Sequence, residues 1–101
     1  IPVAPGQIYV VKAKCRTQGN SLPNLMVRWQ TSERQWTHEA DDRTFTFQPD
    51  QGAWRASAGT VTVPPDTGRL VVLLNVHGQR TDDDVCWFDE LEIYRLPDLP
   101  F

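Results

Sequence analysis

Val85-Cys86-Trp87-Phe88-Asp89-Glu90-Leu91-Glu92-Ile93-Tyr94-Arg95-Leu96 is the longest run of the chain dense in aromatic and branched apolar residues. Such side chains fit a pleated, half-buried surface. Pro97 and Pro100 follow, and neither can donate to a strand ladder. The run therefore reads as a closing β-strand over 85–96. Phe88 and Leu91 both look like core residues, yet they lie three apart in a strand whose side chains alternate with period two. A β-bulge at Asp89-Glu90 reconciles them, because a bulge inserts one residue and re-aims the side chains beside it.

The chain before this strand follows the same pattern. Ile1 to Gln7, with Pro2, Pro5 and Gly6, is a lead-in loop. In Ile8–Arg16, Tyr9, Val11, Ala13 and Cys15 share one face, and Lys12, Lys14 and Arg16 share the other. That is the period of a half-buried strand. Gln18-Gly19-Asn20-Ser21 with Pro23 is turn material. A second strand covers 25–32, with Leu25, Val27 and Trp29 alternating against Met26, Arg28 and Gln30. A polar hairpin tip then leads to a short return strand, Trp36-Thr37-His38, and an acidic loop, 39–42. Residues 43–47 alternate with Phe45 and Phe47 on one face, and Pro49-Asp50-Gln51-Gly52 is a turn. Residues 54–63 form a strand that Pro64-Pro65 breaks. Residues 69–77 are apolar on both faces through Leu70–Leu74, the pattern of a central strand covered on both sides. Gly78–Asp84 is a polar, acidic loop. No 3.6-residue period and no internal repeat is present. Six or seven short strands joined by Gly, Pro and Asp turns predict an all-β sandwich or jelly roll.

One hundred and one residues make one domain with a modest core. The net charge is −3 and no basic run exists, which argues against a nucleic-acid partner. No stretch approaches the roughly 20 apolar residues of a membrane helix, so no membrane association is expected. The chain starts at Ile1-Pro2 without Met or a signal-peptide pattern, which suggests a processed chain or one domain of a larger protein. Its two cysteines, Cys15 and Cys86, form no CxxC pattern and make no recognisable zinc module.

The order of Pro5-Gly6-x-x-Tyr9, Trp54, Val61-Thr62-Val63-Pro64-Pro65, the apolar strand Leu70–Val76 and Trp87-Phe88-Asp89-Glu90-Leu91-x-Ile93-Tyr94 resembles a known family. It is similar to the galactose-binding-like jelly rolls of carbohydrate-binding modules, accessory domains of secreted polysaccharide-degrading enzymes. The resemblance spans Pro5 to Leu96. It implies a jelly roll, a polysaccharide or oligosaccharide ligand, a catalytic domain of a parent enzyme as neighbour, and a secreted or extracellular location. It departs from the family in one respect: the strand or two that usually precede the Pro-Gly-x-x-Tyr strand are absent. Either that segment is trimmed, or this is the C-terminal part of a larger protein, or another chain completes the sheet. An incomplete sandwich leaves an open edge.

The resemblance also implies that an acidic residue at Asp89 binds a structural Ca²⁺. Calcium needs six to eight oxygens, and the alternative is an ion pair of Asp89 with Lys12 or Lys14. It further implies that the strands carrying Cys15 and Cys86 are antiparallel neighbours. Cys15 would then face Cys86, and Ala13 would face Phe88, close to disulfide range. Two buried free thiols are the other reading.

Sugars stack their C–H faces on flat aromatic rings, whereas the ordinary role of Trp is core packing. Trp29 shares its face with Leu25 and Val27 and is expected in the core, as is Trp54 by the resemblance. Trp87 faces away from Phe88 and is expected partly exposed. Trp36 follows a polar tip and is the best candidate platform. Arg28, Gln30, Asn75 and His77 are polar residues on strands whose other face is apolar, and they could supply hydroxyl-binding groups beside a platform. A solvated sheet face is the more ordinary reading of any one of them. The carboxylates of 39–42 and 82–84 read as solvated turn residues, and no nucleophile elbow or phosphate loop occurs. The sequence therefore predicts binding without catalysis. The alternative is a structural or interaction sandwich with no sugar affinity.

Overall fold

The computed structural model describes residues 1–47 and 53–97. The expected turn at Pro49–Gly52 and the stop at Pro100 lie outside the described residues. Six strands form: β1 Ile8–Gln18, β2 Leu22–Gln30, β3 Arg43–Thr46, β4 Arg55–Thr62, β5 Arg69–His77 and β6 Val85–Leu96. A 3-10 turn covers Glu39–Asp41 between β2 and β3. They make two antiparallel three-stranded sheets, ordered β4-β1-β6 and β3-β2-β5. The chain is an all-β sandwich.

The core follows from the period-two pattern. From β1 come Tyr9, Val11, Ala13 and Cys15; from β2, Leu25, Val27 and Trp29; from the other strands and their ends, Phe47, Val61, Val63 and Leu70. Trp29 is only 1 % exposed, and its indole N–H donates to the Asp41 carbonyl at 2.9 Å. That bond satisfies the one polar atom its burial would otherwise strand. Gly59 faces Val11 on the inner side of β4. A Cβ there would lie 2.2 Å from the Phe45 ring, so glycine makes room for the aromatic ring between the sheets. Ser57 Oγ donates to the Thr46 carbonyl at 2.9 Å, which stitches β4 of one sheet to β3 of the other.

Several expectations are corrected. β2 begins at Leu22, three residues early, and carries Pro23 within it. Proline lacks a ladder donor, but β3 pairs β2 only over Asn24–Val27, so at Pro23 the strand has a neighbour on one side only. The return strand at 36–38 reduces to a single bridge, Gln30 with Trp36. β5, expected at the centre of a sheet, is an edge strand beside β2. Its inner Leu70, Val72 and Leu74 pack on the core, while Val71 and Leu73 are half-buried on the outer face. Segment 1–3 runs against its start, with Val3 N–H donating to the Gly68 carbonyl and Leu70 N–H to the Ile1 carbonyl, both at 2.9 Å.

The bulge in β6 exists, displaced by one residue. Lys12 pairs Glu92 and Lys14 pairs Asp89, so Glu90 and Leu91 together oppose Ala13. Glu90 takes φ 52°, a left-handed conformation that the inserted residue imposes. Phe88 and Ile93 then both pack on the core. Leu91, expected in the core, is 44 % exposed, because β6 is the edge of its sheet. With Ile93, Val71 and Val72 it lines a shallow apolar hollow between the β5 and β6 edges.

Candidate functional site

Three surfaces gather side chains that could recognise a ligand. The first is the outer face of the β3-β2-β5 sheet. Register places Arg28 beside Val71, Asn24 beside Asn75, Leu22 beside His77 and Gln30 beside Arg69, so Arg28, Gln30, Asn75 and His77 all project from this face. The loop after β2 brings Trp36 over it. The Arg28 guanidinium lies 4.1 Å from the Trp36 ring centroid, and Arg28 Nε donates to Asp42 Oδ2 at 3.0 Å. A guanidinium held by a carboxylate and stacked on indole fixes the ring's orientation, worth about 0.5–1 kcal/mol for the stack at an exposed site. Trp36 is 50 % exposed. Asn75 Nδ2 donates to Asn24 Oδ1 at 3.3 Å, which sets that amide. The structure thus brings five of the six sequence-nominated sugar residues onto one face. Arg28 sits near one end of β2 and His77 opposite the other, roughly 20 Å apart at strand rise.

The sixth, Trp87, belongs to the second surface, the outer face of β4-β1-β6. It pairs with Arg16, whose guanidinium lies 4.8 Å from the Trp87 centroid and 6.0 Å from that of Trp54. Trp54 is therefore not core: it is 48 % exposed and Trp87 39 %. The cause is position, since Trp54 immediately precedes β4 and stands beside outward-facing Arg16. Two tryptophans flank one cation here. Further along the same face, Lys14 Nζ meets Glu90 at 2.8 Å and Lys12 Nζ meets Glu92 at 3.0 Å. Those hydrogen bonds raise both lysine pKa values. Neither lysine takes the alternative partner Asp89. That side chain is exposed, and its Oδ1 accepts the Glu90 amide N–H at 2.8 Å. Among the described residues no group of three or more His, Cys, Asp or Glu side chains could hold a metal ion.

The third surface is a cleft of ≈ 550 Å³ at the end of the sandwich where the β1–β2 turn, the end of β3 and the start of the β5–β6 loop meet. Its polar lining includes Thr17, Asn20, Asn24, Arg55, His77 and Arg80. Arg55 opens the inner face of β4, opposite Cys15. Its Nη2 donates to Thr17 Oγ1 at 2.8 Å, while its Nε is buried with no partner among the described residues. A buried donor left unpaired costs about 1–3 kcal/mol.

Asp84 holds two walls of the cleft together. One carboxylate oxygen accepts Asn20 N–H at 2.7 Å, and the other accepts Arg80 N–H at 2.7 Å and Thr81 N–H at 2.9 Å. These bonds, the Arg80 one foremost, depress its pKa. Asp42 and Asp84 were both expected as solvated turn residues; the first anchors Arg28 and the second is buried. Both sit in polar loops, where sequence pattern carries no sign of burial. Arg55 had a readable signal: Arg55, Ser57, Gly59 and Val61 share the period-two inner face of β4.

The cysteines do not face each other. Cys15 pairs Phe88, and Cys86 pairs Thr17, a register shifted by two because the ladder continues to Gln18. The residues are diagonal neighbours across the β1–β6 pair, with their thiols close enough to hydrogen-bond each other. Both are free. Burial, and then the adjacent Cys15, push the Cys86 thiol up to about 11.

No family model, curated protein or solved structure matches this chain.

Proposed function

We propose that this chain is a non-catalytic carbohydrate-binding domain of the galactose-binding-like jelly-roll type, serving a secreted polysaccharide-degrading enzyme. One observation carries the reading: three of the four tryptophans are 39–50 % exposed, and each stands beside an arginine on the flat of a sheet. Exposed indoles held flat offer ring faces to sugar C–H groups, and the adjoining guanidinium and amides bond hydroxyls. The Trp36–Arg28 pair, with Gln30, Asn75 and His77 on the same face, is the first candidate platform, and Trp54–Arg16–Trp87 is the second. Affinity electrophoresis in gels containing soluble polysaccharides tests this. Retardation by at least one polymer is expected, reduced by Trp36→Ala or by the pair Trp54→Ala and Trp87→Ala. No retardation with any polymer refutes it.

The apolar hollow between the β5 and β6 edges favours a second reading, an interaction domain whose sandwich is completed by a strand from a neighbouring chain or domain. Leu91, Val71 and Ile93 at that hollow are the side chains such a strand would cover. Concentration-dependent sedimentation, abolished by Leu91→Lys, would favour this reading over the first.

A further inference from the structure

The end cleft carries a charge pattern of its own, sharing only His77 with the first tryptophan platform. Among the described residues that line it, the charged side chains are Arg55 and Arg80, with His77 beside them, and no Asp or Glu is present. The chain as a whole is acidic, at −3. Among the described residues, the Asp84 carboxylate beside the cleft is committed to three backbone N–H groups, and Asp82 and Asp83 of the same loop do not line it.

Arg55 is the informative residue. It enters from the inner face of a strand, its single bond among the described residues goes to a neutral hydroxyl, and no described carboxylate pairs with it. A part-buried guanidinium is ordinarily compensated by a counter-charge, and its rigid fork of donors matches a carboxylate or sulfate oxygen pair. Asn20 and Asn24 add neutral groups able to bond hydroxyls, and the volume lies within the range of small-ligand sites.

We propose that this cleft binds an oxyanion carried on a sugar: the carboxylate of a uronic acid, or a sulfate ester, within an acidic polysaccharide. The anion half of the proposal stands on the cleft itself, and the sugar half rests on the carbohydrate reading above. The cleft would read the charge of the polymer while an aromatic platform reads its ring faces.

Calorimetric titration of the full chain with an oligogalacturonate, a neutral galactan oligomer and sodium sulfate separates the two halves. Preferential binding of the acidic oligomer, weakened by added salt and about tenfold or more by Arg80→Gln, is the expected result. Arg80 is exposed, so this variant reports even where Arg55→Gln fails to fold. Equal or tighter binding of the neutral oligomer overturns the oxyanion while leaving the carbohydrate reading intact. Sulfate binding that depends on Arg80, with no oligosaccharide binding, supports the anion half and overturns the sugar half. Acidic-oligomer binding indifferent to both arginine substitutions overturns the location, and no binding at all overturns the proposal.

Discussion

Gly19→Ala should be far more damaging than its place in an exposed turn suggests. Gly19 has φ 73°, and a Cβ there would lie 2.1 Å from Asp84 Oδ1 and 3.2 Å from the Asp84 Cα. The left-handed backbone alone costs a non-glycine residue about 1–2 kcal/mol. The contact adds to this, because the carboxylate cannot swing aside without releasing Asn20, Arg80 or Thr81. A loss of at least about 1 kcal/mol moves the melting temperature of a domain this size by about 4–8 °C per kcal/mol. In urea the midpoint should fall with the slope unchanged. In an Asp84→Ala background the clash with the carboxylate vanishes, and the left-handed backbone and the tight contact with the residue 84 Cα remain, so the two substitutions should couple. A Gly19→Ala variant within about 0.5 kcal/mol of the parent, the range of ordinary surface changes, would refute the reasoning. So would an identical cost in both backgrounds.

Asp84 also sets an acid limit. Its folded pKa lies below the unfolded value of about 3.9, so the stability it contributes is present above that pH and is lost as pH falls through the folded value. Asp84→Asn should be less stable at neutral pH and should lack that part of the acid decline, measured by urea midpoints across pH. The cysteines should react slowly with an alkylating reagent at pH 8 in the folded protein, since Cys86 titrates near 11 and Cys15 is raised by burial. Unfolded without reductant the chain should release two thiols, and none would mean a bond had formed. If Asp89 helps to bind calcium through ligands beyond those described, a chelator should lower the melting temperature; an unchanged midpoint removes calcium from this domain.

Strand periodicity was readable wherever one face is wholly apolar and the other wholly polar. β1 shows Tyr9, Val11, Ala13 and Cys15 against three cations, and its partnership with β6 followed the expected pairing of neighbours. The three-residue spacing of Phe88 and Leu91 pointed to a bulge, but the inserted residue brings Phe88 and Ile93 inward and leaves Leu91 exposed. Placement of β5 was not, because Val71 and Leu73 mimic a strand covered on two sides while they pack on a half-exposed face. The same limit applies to the sites. Parity put Arg28 with Gln30 on β2 and Asn75 with His77 on β5; the β2–β5 register brought the two pairs to one face, and the structure put Trp36 above it. Trp54 gave no sign of exposure, and Asp84 gave none of burial. Both are decided by a neighbour distant in sequence, Arg16 for one and the 19–20 turn for the other.

β1 is the centre of its sheet, and its two partners come late. It pairs β4, which starts at Arg55, and β6, which ends at Leu96. During synthesis both hydrogen-bonding edges of β1 therefore emerge long before either flank exists to pair with them. Pairings so distant along the chain make folding slow and leave a sticky intermediate. Until Leu96 has been made, β1 lacks its second partner, and a nascent chain halted after β5 should depend on a chaperone to remain in solution.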